Sequence, residues 1–217
     1  MRQIKIVPAI LAKNKREFYR QWRKVAPFFS YIQLDIMDGK FVSGQTKFRP
    51  ATVKKITRQH QLEIHLMVRD VAKYINLWEK LSNVKKIIWH YEAKKNLAVI
   101  LCLNDYLKKK KIKTGLCLNL TTPVEKIAKI AKYFDTIQLM SIKSGAQGRA
   151  FHAKAILKIK KLRKKFPRQK ISVDGGISDK NFLRIKNAGA DMAVIGKYLQ
   201  TAPDIRKALR KIKSPTK

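Results

Sequence analysis

The sequence is short of cysteine, of acidic residues and of long apolar runs, and each shortage excludes a class of protein. Only Cys102 and Cys117 occur in 217 residues. Two thiols cannot build the disulfide framework of a secreted scaffold. Neither belongs to a Cys-x-x-Cys pair, so a Cys-based zinc site is excluded too. Reduced thiols and a cytoplasmic setting are the expectation. No segment approaches the ~18–20 apolar residues of a membrane helix. The N-terminal stretch MRQIKIVPAILAKNK is broken by Pro8 and is too short in apolar length for a secretory signal, so no membrane partner is expected. Nine glycines and seven prolines exclude a low-complexity chain, and no Gly/Ser/Pro linker divides the sequence. Residues 1–217 therefore read as a single domain.

Acidic residues number 14 against 50 basic ones, a formal net charge of +36. Such a surplus attracts polyanions. The basic residues are 37 Lys and 13 Arg, however, and reading of base edges leans on bidentate Arg. The lysines read as a solvated surface, as does the run KKKK (108–111) at a helix end. No specific nucleic-acid partner is expected; a basic barrel binding nucleic acid non-specifically is the alternative that the charge leaves open.

What is present is a core. Hydrophobic residues make up 45% of the chain and aromatics 9%, enough to exclude a disordered polypeptide. Short apolar runs recur, each followed by a helical pattern: IKIVPAIL (4–11), YIQLDIM (31–37), LEIHLMV (62–68), KKIIWHYE (85–92), TGLCLNL (114–120), DTIQLMSI (135–142), KISVDGG (170–176) and MAVIGKYL (192–199). Helices are expected from Asn14, Pro50, Asp70, Asn96, Pro123, Ala153, Asp179 and Pro203. Asp70 and Asp179 serve as N-caps and Gly189 as a terminator. Runs this apolar suit strands covered on both faces. Eight βα units predict an α/β fold, a single (β/α)8 TIM barrel, whereas a doubly wound sheet usually has fewer strands.

In such barrels chemistry sits at the C-terminal strand ends. Asp35, Met37 and Asp38 end the second strand, and His65 and Met67 the third. His90 and Glu92 end the fourth and Asn119 the fifth. Met140 and Ser141 end the sixth, Asp174 the seventh, and Gly196 and Lys197 the eighth. Asp35 and Asp174 on separate strands suit removal of a proton from one face of a carbon and its return to the other. His90 and Glu92 read either as a pair that orients the site or as simple packing. His60 and His152 need no role.

The segments VPAIL (7–11), LDIMDGKFV (34–42), IHLMV (64–68), WHYEA (89–93), GLCLN with TTP (115–123), VDGGI (173–177) and AGADMAVIGK (188–197) together resemble the ribulose-phosphate 3-epimerase family, in family order across nearly the whole chain. The resemblance implies a barrel enzyme that binds a small sugar phosphate. It would invert C3 of D-ribulose 5-phosphate to give D-xylulose 5-phosphate, as in the pentose phosphate pathway. Asp35 and Asp174 match the family's acid and base. Met37, Met67 and Met140 match its ring of thioethers, which exclude water without quenching a carbanion. Gly175, Gly176, Gly196 and Lys197 match its phosphate cradle, although the family usually has a small hydroxyl residue at Lys197. That lysine either contacts phosphate or points to solvent.

The resemblance also implies one divalent metal ion (zinc, iron, manganese or cobalt) held by Asp35, His65, Asp174 and a fourth ligand. Gln33 stands where the family has a second histidine. An amide oxygen is a poorer ligand than imidazole for zinc, iron or cobalt. Gln33 alternatively hydrogen-bonds the sugar or Asp35 with no metal bound. Ala9 replaces a family serine in the substrate pocket. The family's Gly-rich lid reads KSGAQGR (143–149), keeping Gly145 and Gly148 and adding Lys143 and Arg149. The resemblance carries homo-oligomerisation as well. The alternative function is a diverged binder of phosphosugars or other anions with weak or different epimerase activity.

Overall fold

In the computed structural model, which describes residues 3–145 and 148–214, eight parallel strands close into a barrel in sequence order. They are β1 (Lys5–Leu11), β2 (Tyr31–Met37), β3 (Gln61–Met67), β4 (Val84–His90), β5 (Lys113–Leu118), β6 (Thr136–Met140), β7 (Lys170–Asp174) and β8 (Met192–Ile195). Pairing of Lys5 with Met192 through Pro8 with Ile195 closes the ring. The outer layer is α1 (Lys15–Val25), α2 (Pro50–Thr57), α3 (Val71–Trp78), α4 (Leu97–Lys109), α5 (Lys154–Lys165), α6 (Phe182–Asn187), α7 (Lys197–Thr201) and α8 (Ile205–Lys213). The (β/α)8 barrel expected from the alternating runs is the fold. No helix among the described residues is long and apolar enough to cross a membrane.

The strand sequences divide into two rows because side chains alternate between faces. Ile32, Leu34 and Ile36 on β2, Leu62, Ile64 and Leu66 on β3, and Ile137 and Leu139 on β6 belong to one apolar cluster with Phe18, Trp22 and Ile159 of the surrounding helices. The alternate residues Gln33, Asp35, Glu63, His65, Gln138, Ser172 and Asp174 are buried and polar. The inner row thus carries a set of buried polar side chains, and the apolar row anchors each strand against its helices.

Caps fall where small polar side chains reach free N–H groups. Asn14, Asp70, Asn96 and Asp204 accept from the first turns of α1, α3, α4 and α8. Pro50 opens α2, and Gly189 leaves α6 with φ at +106°.

Three details correct the sequence reading. The helix expected from Pro123 is instead two 3-10 turns, Val124–Ile127 and Ala131–Tyr133. Residues three apart eclipse in a 3-10 turn, and this spacing buries Val124, Ile127 and Ile130 together. Asp179 does not cap a helix. It pairs with Lys211 at 2.8 Å, and α6 begins only after Asn181, whose side chain is committed to the Gly176 carbonyl and the Ser178 N–H. Finally, β8 stops at Ile195, because Gly196 already opens α7.

Five of the 14 acids are buried: Asp35, Glu63, Asp174, Asp179 and Asp191. Most of the cations stay outside, Lys86 being the lysine buried in the barrel among the described residues. Among the described side chains α5 buries only Ala155, Ile159 and Leu162, and α8 only Ile205, Ala208 and Ile212.

Candidate active site

Strand register assembles the site. Asp35 on β2 lies beside His65 on β3, and Met140 on β6 beside Asp174 on β7. All project into the lumen at the C-terminal end. There Gln33 Nε2 donates to Asp35 Oδ1 at 2.7 Å and to Asp174 Oδ2 at 2.8 Å. One amide nitrogen therefore joins the two carboxylates that the sequence singles out. Gln138 Nε2 donates to Asp174 Oδ2 from the other side at 3.1 Å. His65 Nδ1 lies 3.1 Å from Asp35 Oδ1 and 3.4 Å from Asp174 Oδ2.

The electrostatics follow from burial. Loss of water pushes the Asp174 carboxyl up to about 7, with the nearby Asp35 charge acting in the same direction. Burial works against a charged His65, but the hydrogen bond and charge of Asp35, backed by Asp174, carry it above the ordinary histidine value. His90 behaves oppositely. Burial brings it down to about 4, so it is a neutral imidazole at neutral pH. Its Nε2 lies 3.0 Å from His65 Nε2, and its Nδ1 lies 3.5 Å from Glu92 Oε2. Glu92 Oε1 in turn accepts from the Asn119 N–H and the Thr122 hydroxyl. Of His90 and Glu92, which the sequence left between two readings, His90 backs the His65 ring through the 3.0 Å contact between their Nε2 atoms, and Glu92 lies behind His90.

Above the carboxylates opens a cavity of about 280 Å³. Its lining brings together Ala9, Asp35, His65, Met67, Met140, Gly145, Gly148, Asp174, Gly175, Gly176, Gly196 and Lys197, all singled out in the sequence. Gln33 lies beneath it, with no exposed surface. Met37 packs under the loop after β2, so close that a Cβ on Gly44 would sit 2.6 Å from its Sδ. Gly176 is required by its backbone: φ is +63°, and a Cβ would lie 2.7 Å from the Phe151 nitrogen and 2.9 Å from the Arg149 carbonyl oxygen. Of the expected lid, Ala146 and Gln147 lie outside the described residues. Arg149, noted in the sequence for its charge, lines the cavity as well, as do Leu11, Ile142, Ile177, Ser178, Tyr198 and Thr201, which the sequence did not single out as site residues. Ser178 and Thr201 carry no motif, and only their place beyond β7 and β8 could have suggested them.

The ligand atoms of Asp35, His65 and Asp174 lie within 4.8 Å of one another, a spacing that could hold a metal ion. His65, His90 and Cys117 form a second such group, unforeseen because Cys117 stands alone in the sequence. The implied four-ligand metal does not fit the first group as it is built. The fourth position, Gln33, presents N–H bonds to the two carboxylates, and an amide N–H has no lone pair for a cation.

A closed parallel barrel with buried carboxylates and glycine turns around a cavity at its C-terminal mouth is the framework of a (β/α)8-barrel enzyme. The chain belongs to the ribulose-phosphate 3-epimerase family, whose model matches residues 5–200. It is 29% identical over 212 residues to the ribulose-phosphate 3-epimerase of Helicobacter pylori strain J99, covering 95% of each chain. It is 33% identical over 175 residues to that of Chlamydia muridarum, covering 77% of this chain and 75% of the relative. Among solved structures, a 3-hexulose-6-phosphate synthase superposes with a TM-score of 0.71 at 14% identity, covering 96% of this chain and 98% of the other. That likeness is one of fold.

Proposed function

We propose that the protein is a sugar-phosphate epimerase that interconverts D-ribulose 5-phosphate and D-xylulose 5-phosphate by proton transfer at C3. The observation that carries this reading is the joining of Asp35 and Asp174 at the floor of a cavity rimmed by Gly175, Gly176, Gly196 and Lys197. A carbon acid next to a carbonyl loses its proton to a carboxylate only when that base is fixed close by and water is kept away. Asp35 is the base that takes the C3 proton. Asp174, whose burial keeps a proton on it near neutrality, is the acid that supplies one to the opposite face. In the reverse direction the roles exchange. Met67 and Met140 wall the enediolate with polarizable surface that neither protonates it nor admits water.

The phosphate is read at the other end of the cavity, against the backbone of Gly175 and Gly176 and the Lys197 ammonium. Ala9 leaves the β1 wall of that pocket without a hydroxyl, so recognition of the sugar falls to the carboxylates and to the hydroxyl residues Ser178, Tyr198 and Thr201. The free Cys102 and Cys117 support a cytoplasmic setting.

The test is a coupled assay on D-ribulose 5-phosphate with solvent-exchange measurement at C3. Asp35→Asn and Asp174→Asn should each lower turnover by about 10²–10⁴-fold, the range of a lost general acid or base, and circular dichroism should report an unchanged fold. Near-normal turnover in either variant ends the assignment. An inactive wild type that still binds the sugar phosphate favours the diverged binder.

A further inference from the structure

We infer that the Gln33 carboxamide takes the place of the divalent cation, so that this chain's carboxylate pair works without a metal. This deepens the epimerase reading and rests on it for the meaning of "works". Its evidence is the geometry of Gln33 itself.

The amide nitrogen is wholly buried and has two hydrogens, and both are committed. One goes to Asp35 Oδ1 at 2.7 Å and the other to Asp174 Oδ2 at 2.8 Å. His65 Nδ1 is 3.4 Å away. These are the same three residues whose ligand atoms cluster. The nitrogen thus stands among the donors that an ion would need, at hydrogen-bond distance from them. A zinc ion would require those oxygens at ~2.0–2.2 Å and four lone pairs directed at it. The Gln33 nitrogen supplies none, because amide resonance ties up its pair.

The orientation is fixed by its neighbours. Turning the amide over would bring Oε1 to within 2.7–2.8 Å of two carboxyl oxygens and would forfeit both N–H bonds. In the orientation observed, Oε1 is buried and has no hydrogen-bond partner among the described residues. Burying an unpaired acceptor is unfavourable, so the inward N–H bonds outweigh it. Gln138 repeats the pattern from β6. Its Nε2 also donates to Asp174 Oδ2 at 3.1 Å, and its Oε1 is likewise unpartnered. Two amides, from opposite sides of the lumen, each turn their donors toward the acids.

The consequence is electrostatic. Two buried carboxylates repel unless something positive lies between them. An ion does this with a full charge. Here the Gln33 N–H dipoles do it together with the His65 ring, 3.1 and 3.4 Å from the two carboxylates, with no ligand to lose and no dependence on the cell's metal supply.

The experiment measures metal content and turnover separately. Wild-type protein and Gln33→His are dialysed against chelator, titrated calorimetrically with Zn²⁺, Mn²⁺ and Co²⁺, and analysed by inductively coupled plasma mass spectrometry before and after. We expect the wild type to carry substoichiometric metal, to show no saturable binding at the site, and to keep its thermal midpoint and its turnover after chelation. Gln33→His should gain one site per chain, with affinity about 10–100-fold above any wild-type binding. A stoichiometric ion in the wild type that Asp35→Asn or Asp174→Asn releases overturns the inference, whatever the activity. So does loss of wild-type turnover on chelation that Zn²⁺, Mn²⁺ or Co²⁺ restores. If the wild type holds no metal and is inactive on D-ribulose 5-phosphate, the epimerase reading falls and Gln33 remains as the carboxylate bridge. The wild-type arm decides the matter even if Gln33→His fails to fold.

Discussion

At the end of the barrel opposite the cavity, the Lys86 ammonium lies 2.7 Å from Glu63 Oε2, with only 6% and 1% of the two side chains exposed. The Tyr31 hydroxyl donates to the same oxygen at 2.9 Å. Burial, followed by the Glu63 charge, raises the Tyr31 phenol far above its ordinary pKa, so it remains a donor. The Lys5 ammonium covers the Tyr31 ring 3.8 Å from its centroid. An ion pair, where most barrels have aliphatic layers, plugs the bottom of the lumen.

That pair sets up a stability prediction. Lys86→Met leaves the Glu63 carboxylate buried with only Tyr31 beside it, and should cost about 3–5 kcal/mol. Removing both charges, with Glu63→Leu added, should recover most of the loss, because a buried pair commonly exchanges for apolar residues at little net cost. Urea unfolding of the single and double variants measures this. A single variant within ~0.5 kcal/mol of wild type would place the pair with ordinary surface substitutions.

Lys197 carries the second prediction. Its stem lies along Gly148, where a Cβ would be 2.5 Å from its Cδ and 3.0 Å from its Nζ. It is exposed, and it lines the cavity. Lys197→Ala should raise KM for the sugar phosphate about tenfold, the value of one charge-assisted contact near 1.4 kcal/mol, with a smaller change in kcat. Lys197→Arg should restore most of the affinity, and the difference should shrink as salt is added. An unchanged KM would show the ammonium facing solvent.

The third prediction concerns pH. Lys158 donates to the Asn119 and Leu120 carbonyls behind the site, and burial lowers its pKa to about 8. The unfolded chain holds that proton up to ~10.4. Between about 8 and ~10.4 the unfolded state binds more protons than the folded one, so this residue's contribution to stability rises with pH across that window and is flat below it. Relative to Lys158→Met, wild type should become progressively more stable from pH 8 to pH 10 in denaturant titrations. Parallel curves for the two proteins would refute it.

How much of this was legible in the sequence varies with the physics involved. The eight strands are visible because apolar residues recur at every strand, and β2 and its motif LDIMDG place Asp35 without ambiguity. Met67, Met140 and the glycines of VDGG and IGK follow, since strand ends in a barrel converge on one mouth. What escaped is pairing across the lumen. Glu63 and Lys86 are 23 residues apart, and each alone looks like a polar interruption of an apolar strand. Only the register that sets Glu63 beside Lys86 reveals a pair. Gln138 was hidden for the same reason: nothing local says that a glutamine in TIQLM will reach Asp174 on the neighbouring strand. Gln33 was noticed as a departure, but the direction its amide faces depends on two carboxylates, one of them 141 positions away in the chain. The 3-10 turns after Pro123 were missed because VEKIAKIAKYF has good helical composition, and three-residue spacing competes closely with 3.6.

The burial of five carboxylates has an effect at distances well beyond the cavity. With Asp35, Glu63 and Asp174 inside the barrel and 50 cationic side chains against 14 acidic ones in the chain, the molecule presents to its surroundings a strongly positive field. A doubly charged phosphate ester is drawn toward such a surface before any contact forms, and its rate of encounter exceeds that of a neutral molecule of equal size. The same field holds copies of the protein apart and gathers small anions around it. The mouth must therefore admit its ligand through a crowd of competing counterions, and kcat/KM becomes a quantity set in part by the ionic composition of the medium.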